Sequence, residues 1–554
     1  MTWTQNYDPL GSWPLSTALA ALPVVALLGL LMTGKVNAWQ SALAGLIVAF
    51  GIAVGPCGMP LGMASAAAGY GVIFALFRIV WLIVAAVFLY DIAVATGQFE
   101  VMKASIGRLS GDRRLQAILV AFSFGAFIEG SAGFGAPVAI SAAFLVGLGF
   151  RPFQAAVLCL IANTAPVAWG AIGTPIKTLG IVTKLDTEAL SACSGRILPP
   201  LSFIVPIWLV VAMVGWRSAR QVWPAFLVVG GTFAAVQFLW SNYVGVDLVD
   251  IASAVASLVA GVALLLIWKP AIPWRFPEEQ NAPSPMPSEP YHPLAARQVA
   301  RAWMPFGLLS ITVLIWGLVP VKAFMDRYTS ISPGMPGLHM QVARGEQVLR
   351  PDTPPEKALE EAKLPIVPIS STGTAVFLAA VASGLLLGVS PVRLVLLFGR
   401  SVVRLIPAIA TIFAMLALGF VTRYSGTDAI LGIAFTKVGP DLFPIFGTLL
   451  GWLGVALTGS DTASNILFGN LQVVTATQLD LNPVPMASAN TTGGVMGKMI
   501  DAQSIVVAAA ATGEAGQEGK ILRAVVLHSI ALALLVGAIV WLYARVWPDL
   551  VPSL

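Results

Sequence analysis

The sequence predicts an all-α polytopic membrane protein, with roughly 12–14 transmembrane helices by length, in two inverted repeats with re-entrant hairpins and broken helices. Three observations lead there. Of 554 residues, 57% are hydrophobic and only 10% charged, against about 25% charged in soluble domains. The apolar residues form long runs, among them Pro14–Met32, Ile79–Val94, Phe203–Val214, Val246–Trp268 and Ile521–Tyr543, which read as spanning helices. Two polar stretches interrupt this background, one in each half: Glu129-Gly-Ser-Ala-Gly-Phe-Gly-Ala-Pro137 and Thr458-Gly-Ser-Asp-Thr-Ala-Ser-Asn465. A carboxylate at the bilayer centre costs roughly 2.5–3.5 kcal/mol on insertion scales, and adjacent glycine and serine weaken the helix that lipid demands. Broken polar segments in both halves are the sequence pointer to a transport site.

The elements follow in order. The first membrane half spans 1–268. Its cytoplasmic loops are marked by Lys103, Arg108, Arg113 and Arg114, and by Arg217 and Arg220, because basic residues in short loops set orientation. Between these loops lie a hairpin near 115–150, carrying Glu129, and a broken helix near 153–180, carrying Asn163-Thr164 and Lys177. A Pro- and Glu-rich cytoplasmic linker, 269–303, reads as flexible. The second half, 304–554, contains an extracytoplasmic insert at 321–366 that is long, Pro-rich and balanced in sign through Asp326, Glu346, Asp352, Glu360 and Glu361. The insert is open to two roles, a cap on a domain or an oligomer contact such as that of a homodimer. After the cytoplasmic markers Arg393, Arg400 and Arg404 come a hairpin near 442–476 and a broken helix near 484–510, which carries Asn490-Thr491 and Lys498.

This threading brings the two polar segments into the membrane from opposite faces, as an inverted repeat requires. A faint internal echo agrees. Gly130-Ser131 corresponds to Gly459-Ser460; Asn163-Thr164 lies 33 positions after Gly130, and Asn490-Thr491 lies 31 after Gly459.

Other classes are disfavoured. The net charge of +5 comes from loop residues that set topology, so it does not point to nucleic acid. Cys57, Cys159 and Cys193, like His292, His339 and His528, are scattered, so no cofactor, metal or haem site is expected. No nucleophile with its base is legible, which argues for a transporter over an enzyme. No basic residue precedes Lys35, so the first apolar run reads as a retained helix rather than a cleaved signal.

Breaks in membrane helices expose backbone N–H groups and dipole ends that favour an anion, while carbonyls and carboxylates hold a proton or a cation. The expected substrate-binding residues are Ser131, Asn163, Thr164, Ser460, Thr462, Ser464, Asn465, Asn490 and Thr491. Glu129 and Asp461 are candidate proton sites, since burial disfavours the charged form; each also fits a structural pair with a buried base or backbone N–H groups. Lys177 and Lys498 fit either a counter-charge to the substrate or snorkelling to the interface, with Asp501 and Gln503 available to satisfy Lys498. Arg78 and Arg423 read as topology anchors, Asp91 as interfacial and His528 as a packed histidine.

At these residues the chain resembles the lactate permease family, which includes the glycolate permeases. The likeness covers nearly the whole length. It rests on Gln5-Asn-Tyr-Asp-Pro9, Thr96-Gly-Gln-Phe99, Phe124-Gly-Ala-Phe-Ile-Glu-Gly130, Ala132-Gly-Phe-Gly-Ala-Pro-Val-Ala-Ile140 and Asn163-Thr-Ala-Pro-Val167. In the second half it rests on Gly451-Trp-Leu-Gly454, Thr458-Gly-Ser-Asp-Thr462, Ala489-Asn-Thr-Thr-Gly-Gly-Val495 and Gly497-Lys-Met-Ile500. The resemblance implies a multi-pass, proton-coupled importer of L-lactate, D-lactate and glycolate in the bacterial cytoplasmic (inner) membrane. Its partners would be a small carboxylate, a proton and the lipid bilayer.

More distantly, the resemblance implies the ion-transporter superfamily, with its inverted repeats and often an elevator motion. In that superfamily Ser-Asn-Thr motifs at hairpin tips bind the substrate carboxylate. The nearest matches here are Ser460-Asp-Thr462 and Ser464-Asn465; the first tip reads Glu129-Gly-Ser131 with no Asn-Thr after it. Whether hairpin tips or the breaks at Asn163 and Asn490 hold substrate is left open. The rival readings are a sodium-coupled dicarboxylate symporter of the same superfamily and an anion channel.

Overall fold

The computed structural model describes residues 2–32, 36–107, 109–133, 136–277, 295–345, 358–364, 366–514 and 517–552. Lys35, Arg108, Phe134-Gly135, the linker centre 278–294 with His292, and insert residues 346–357 with Glu346 and Asp352 lie outside the described residues, as does the side chain of Arg78. Helices dominate. The named strands among the described residues are Trp3–Thr4 and Val342–Ala343, which pair in parallel. The amino-terminal segment and the insert are therefore on one side of the molecule.

Helix length separates two populations. Pro199–Tyr243, Val249–Ile267, Ala296–Trp316, Pro391–Ser425 and Glu518–Arg545 are long and apolar enough to cross a bilayer, and two bent pairs raise the number to seven. One bent pair is Trp81–Ala95 with Gln98–Ile106, turning by 81°; the other is Pro152–Ala162 with Val167–Thr183, turning by 68°. Trp13–Met32 has 20 residues, and six further apolar helices have only 10–17. At about 1.5 Å per residue these six fall short of the roughly 30 Å hydrocarbon core. The sequence predicts roughly 12–14 transmembrane helices by length. Among the described residues, apart from Trp13–Met32, five, or seven with the bent pairs, are long and apolar enough to cross, because several apolar segments form short or broken helices.

Two helical hairpins stand at the polar stretches. The first pairs Gly125–Ala132 with Ala136–Gly147, and the second pairs Phe443–Thr458 with Asp461–Gln478. Each first arm stops at a glycine of positive φ, Gly133 at 49° and Gly459 at 73°, a conformation that costs side-chain-bearing residues about 1–2 kcal/mol. The helices that follow start on local signals. Arg151 precedes Pro152 at the first helical position, and the Asn482 side chain accepts from the Val484 N–H before Pro483 opens its helix.

The second hairpin packs backbone to backbone against Pro483–Gly497. A Cβ added at Gly451 would collide with the Asn490 carbonyl, at Gly493 with that of Thr448, and at Gly497 with that of Trp452. Small residues let membrane helices approach in this way.

The insert forms a cap that ties distant segments together. The Gln5 amide donates to the Arg423 and Tyr424 carbonyls at 2.9 and 3.0 Å; the Tyr70 and Tyr424 hydroxyls donate to the Lys363 and Glu361 carbonyls at 2.6 and 2.8 Å. Glu360 is the hub, pairing with Lys184 at 2.6 Å, Arg344 at 2.5 Å and Arg423 at 3.3 Å. Arg423 is therefore a buried partner of the cap rather than the topology anchor expected from sequence. Only folding brings Glu360 to it, 63 residues away. Asp91 pairs with Arg404 and Ser401, and His528 accepts from the Trp208 indole at 3.0 Å.

Burial works against the Glu360 carboxylate, but Arg423, Lys184 and Arg344 outweigh it and hold the carboxyl well below the usual range. Burial, with Arg423 nearby, lowers Lys184 from 10.5 to about 8. Between pH about 8 and 10.5 the unfolded chain binds the extra proton at this site, so Lys184 makes the folded state more stable as pH rises through that window. Thermal unfolding in detergent is expected to show this as a rise across the window that Lys184→Met lacks. A wild-type protein that instead loses stability relative to the variant would contradict it.

Candidate functional site

The four interrupted elements converge on one cavity of about 70 Å³. Glu129 and Gly133 come from the first hairpin tip, Gly459, Ser460, Asp461 and Thr462 from the second. The first broken helix supplies Val167, Gly170, Ala171, Thr174 and Pro175, and the break after Pro483–Gly497 supplies Lys498 and Gln503.

Each acid is seated against a glycine. A Cβ at Gly170 would lie 2.6 Å from Glu129 Oε1, and one at Gly494 would collide with Asp461 Oδ1. Glu129 Oε2 and Asp461 Oδ1 are buried with no hydrogen-bond partner among the described residues, while Asp461 Oδ2 accepts from the Thr491 hydroxyl. Asp461 also opens the first turn of its helix, behind Ser460, whose hydroxyl accepts from the Ala463 N–H at 3.3 Å; that end of a helix favours a negative group.

Lys498 is the ammonium of the site. Its Nζ donates to the Gly459 carbonyl at 2.7 Å and pairs with Asp501 at 3.2 Å. Glu129 and Asp461 both lie within its electrostatic reach. With Lys498 only 5% exposed and Asp501 fully buried, lysine and acids interact through a medium far less polar than water.

The residues expected from sequence divide into two groups. Glu129, Ser460, Asp461, Thr462 and Lys498 face the cavity. Ser131 and Thr164 turn their hydroxyls to their own helices, onto the Phe127 and Ile161 carbonyls at 2.8 and 2.7 Å. Lys177 is not brought to the cavity; it pairs with Asp247, beside Thr372. Asn163 is buried beside the Glu129 carboxyl but does not line the cavity.

Ser464, Asn465, Asn490 and Thr491 form a bracket behind the cavity. Asn490 donates to Asn465 at 2.9 Å, Asn465 to Thr491 at 3.1 Å and to the Pro175 carbonyl at 3.2 Å, and Ser464 to the Gly451 carbonyl at 3.2 Å. Pro152–Ala162 ends at Asn163, but Pro483–Gly497 runs unbroken through Asn490-Thr491 and stops at Lys498. The difference has a local cause: Asn490 and Thr491 direct their side chains to neighbouring elements. Asp501, which accepts from the Ser504 N–H at 2.7 Å, starts the next helix.

Thr174 and the glycine walls were not anticipated. The available signal was Gly170-Ala-Ile-Gly-Thr-Pro175, two glycines and a proline in a stretch that starts six residues after Thr164. Here Ala171 and Ile172 take left-handed φ values of 44° and 58° before Gly173 at 73°. Strain of this kind in residues with side chains clusters at functional sites.

A family model described as L-lactate permease matches residues 16–547. The chain belongs to the L-lactate permease family. Glycolate permease GlcA of Escherichia coli (strain K12) is 43% identical over 100% of both chains, and an L-lactate permease of Bacillus subtilis (strain 168) is 42% identical over 100% of both. Among solved structures, the YdaH transporter of Alcanivorax borkumensis is 14% identical with a TM-score of 0.45, over 87% of this chain and 88% of its own. As a member of the L-lactate permease family, the protein is an all-α, multi-pass membrane transporter of the bacterial inner membrane.

Proposed function

We propose that the protein imports small 2-hydroxymonocarboxylates, lactate and glycolate, by symport with a proton. One observation carries the reading: a single ammonium, Lys498, shares a buried cavity with Glu129 and Asp461 and pairs with Asp501. With all three acids charged, the site is net negative and repels an incoming carboxylate. With both Glu129 and Asp461 protonated, only the neutral Lys498–Asp501 pair remains and Lys498 can attract it. Substrate and proton then favour the same state, and linkage makes that preference mutual.

Size supports the same class. A water needs about 10–15 Å³ of such space, so a cavity of about 70 Å³ has room for a small hydroxycarboxylate such as glycolate or lactate. Lys498 would receive the substrate carboxylate and Ser460, Thr462 or Thr174 its hydroxyl. The lactate methyl would lie against Val167, Ala171 and Pro175.

In proteoliposomes, an imposed pH gradient is expected to drive lactate accumulation. A sodium gradient that drives it equally without a pH difference would overturn the proton assignment, and competition by succinate as strong as that by lactate would overturn the substrate class. Accumulation above the external concentration separates a symporter from a channel.

The reading includes two inverted repeats and an elevator-like alternation around this cavity, supported by the matched order of hairpin, glycine break and interrupted helix in each half. A cysteine at Gln503 should then be labelled by impermeant thiol reagents from each face in turn as lactate and pH are varied. Labelling from one face under every condition contradicts alternation.

A further inference from the structure

Directly behind Glu129 stands a second acid without a partner. Asp250, in the first turn of Val249–Ile267, is 1% exposed, and neither of its carboxylate oxygens has a hydrogen-bond partner among the described residues. It packs on Gly130, next to Glu129; a Cβ at Gly130 would lie 2.8 Å from the Asp250 Cβ. The glycine is what permits this approach. A first-turn acid commonly serves the helix dipole, but Asp250 accepts no backbone N–H.

Among the described residues, no free cation on the helices packed against it compensates it. The helices packed on Val249–Ile267 are Ala117–Phe124, Gly125–Ala132, Gly170–Thr183, Phe226–Gly230 and Gly231–Tyr243. The titratable groups they carry are Glu129, Lys177 and the exposed Tyr243, and Lys177 is engaged by Asp247. A buried carboxylate that is neither paired nor hydrogen-bonded is strongly disfavoured against its protonated form.

We propose that Asp250 is a further proton-holding residue of the coupling machinery, a positioning acid behind the cavity that acts through Glu129 on its wall. This rests on the proton-coupled reading above. Asp250 does not line the cavity and touches no substrate. A charge on either acid opposes a charge on the other, so protons leave the pair in two steps that belong to the pair. Loss of Asp250 removes one of the pair's two steps.

Two measurements on the full-length protein test this. In infrared spectra at neutral pH, the protonated-carboxyl stretch of the wild type should lose intensity in Asp250→Asn. In proteoliposomes the same variant should keep lactate counterflow at fixed pH within twofold. Its accumulation driven by a pH gradient should fall at least threefold, and its pH profile should lose one step. Equal losses of counterflow and accumulation indicate a merely structural role and overturn the proposal, as do wild-type accumulation and an unchanged profile. Should wild-type uptake ignore the pH gradient, the functional reading falls, yet the infrared comparison still decides Asp250: an unchanged band overturns its proton. If Asp250→Asn does not fold, Asp250→Ser, smaller at the same buried position, is read by the same two measurements.

Discussion

Glu129→Gln protein in proteoliposomes is expected to equilibrate lactate but not to accumulate it. One pH unit is worth about 1.4 kcal/mol per proton, which supports roughly tenfold accumulation for one proton per substrate; the variant should give a ratio near one. Glutamine has the shape of glutamate, so its contacts with Gly170 and Gly133 survive, and counterflow of labelled against unlabelled lactate should continue. What is lost is the exchangeable proton. Tenfold accumulation by Glu129→Gln would remove Glu129 from coupling and leave Asp461 as the cavity's candidate.

Lys498→Met is expected to weaken lactate binding by at least about 100-fold. Removing one partner of a buried charged pair costs on the order of 3–5 kcal/mol, part of it from the partner left behind. Here that partner is Asp501, fully buried at the start of its helix. The single variant should therefore be less stable as well as weak in binding. The double variant Lys498→Met with Asp501→Asn removes the stranded charge, so it should recover thermal stability but not lactate affinity. Recovery of both would show that Lys498 serves the fold alone.

Much of this site was legible because lipid makes polar residues conspicuous. Glu129, Ser460, Asp461, Thr462 and Lys498 stand out against an apolar chain, and burying them without a role is costly. The second hairpin breaks at Gly459, inside the polar stretch the sequence marked, but the first arm of the first hairpin runs on through Gly130-Ser131, the expected tip, and stops at Gly133. Other residues misled because sequence does not report direction. Ser131 and Thr164 have hydroxyls short enough to bond their own helix, a habit of serine and threonine in any helix. Lys177 looks like Lys498 in composition and setting, yet its partner Asp247 lies 70 residues away. Asp250 was passed over inside a run otherwise suited to a spanning helix; its lack of partners is a property of packing.

The cap shows the same division. Charge balance in 321–366 signalled a distinct segment, but the convergence of Lys184, Arg344 and Arg423 on Glu360 needs three separate stretches of chain. By itself the sequence determined the solvent, the helical class and that polar stretches interrupt the helices in each half, because hydropathy and backbone satisfaction are local demands. It misplaced the second break, which falls at Lys498 and not at Asn490-Thr491. Tertiary structure alone decided which broken ends meet. It set one ammonium among the acids of the cavity and left Asp250 behind Glu129 without a partner among the described residues, because electrostatic partnership depends on distances that only the packed helices define.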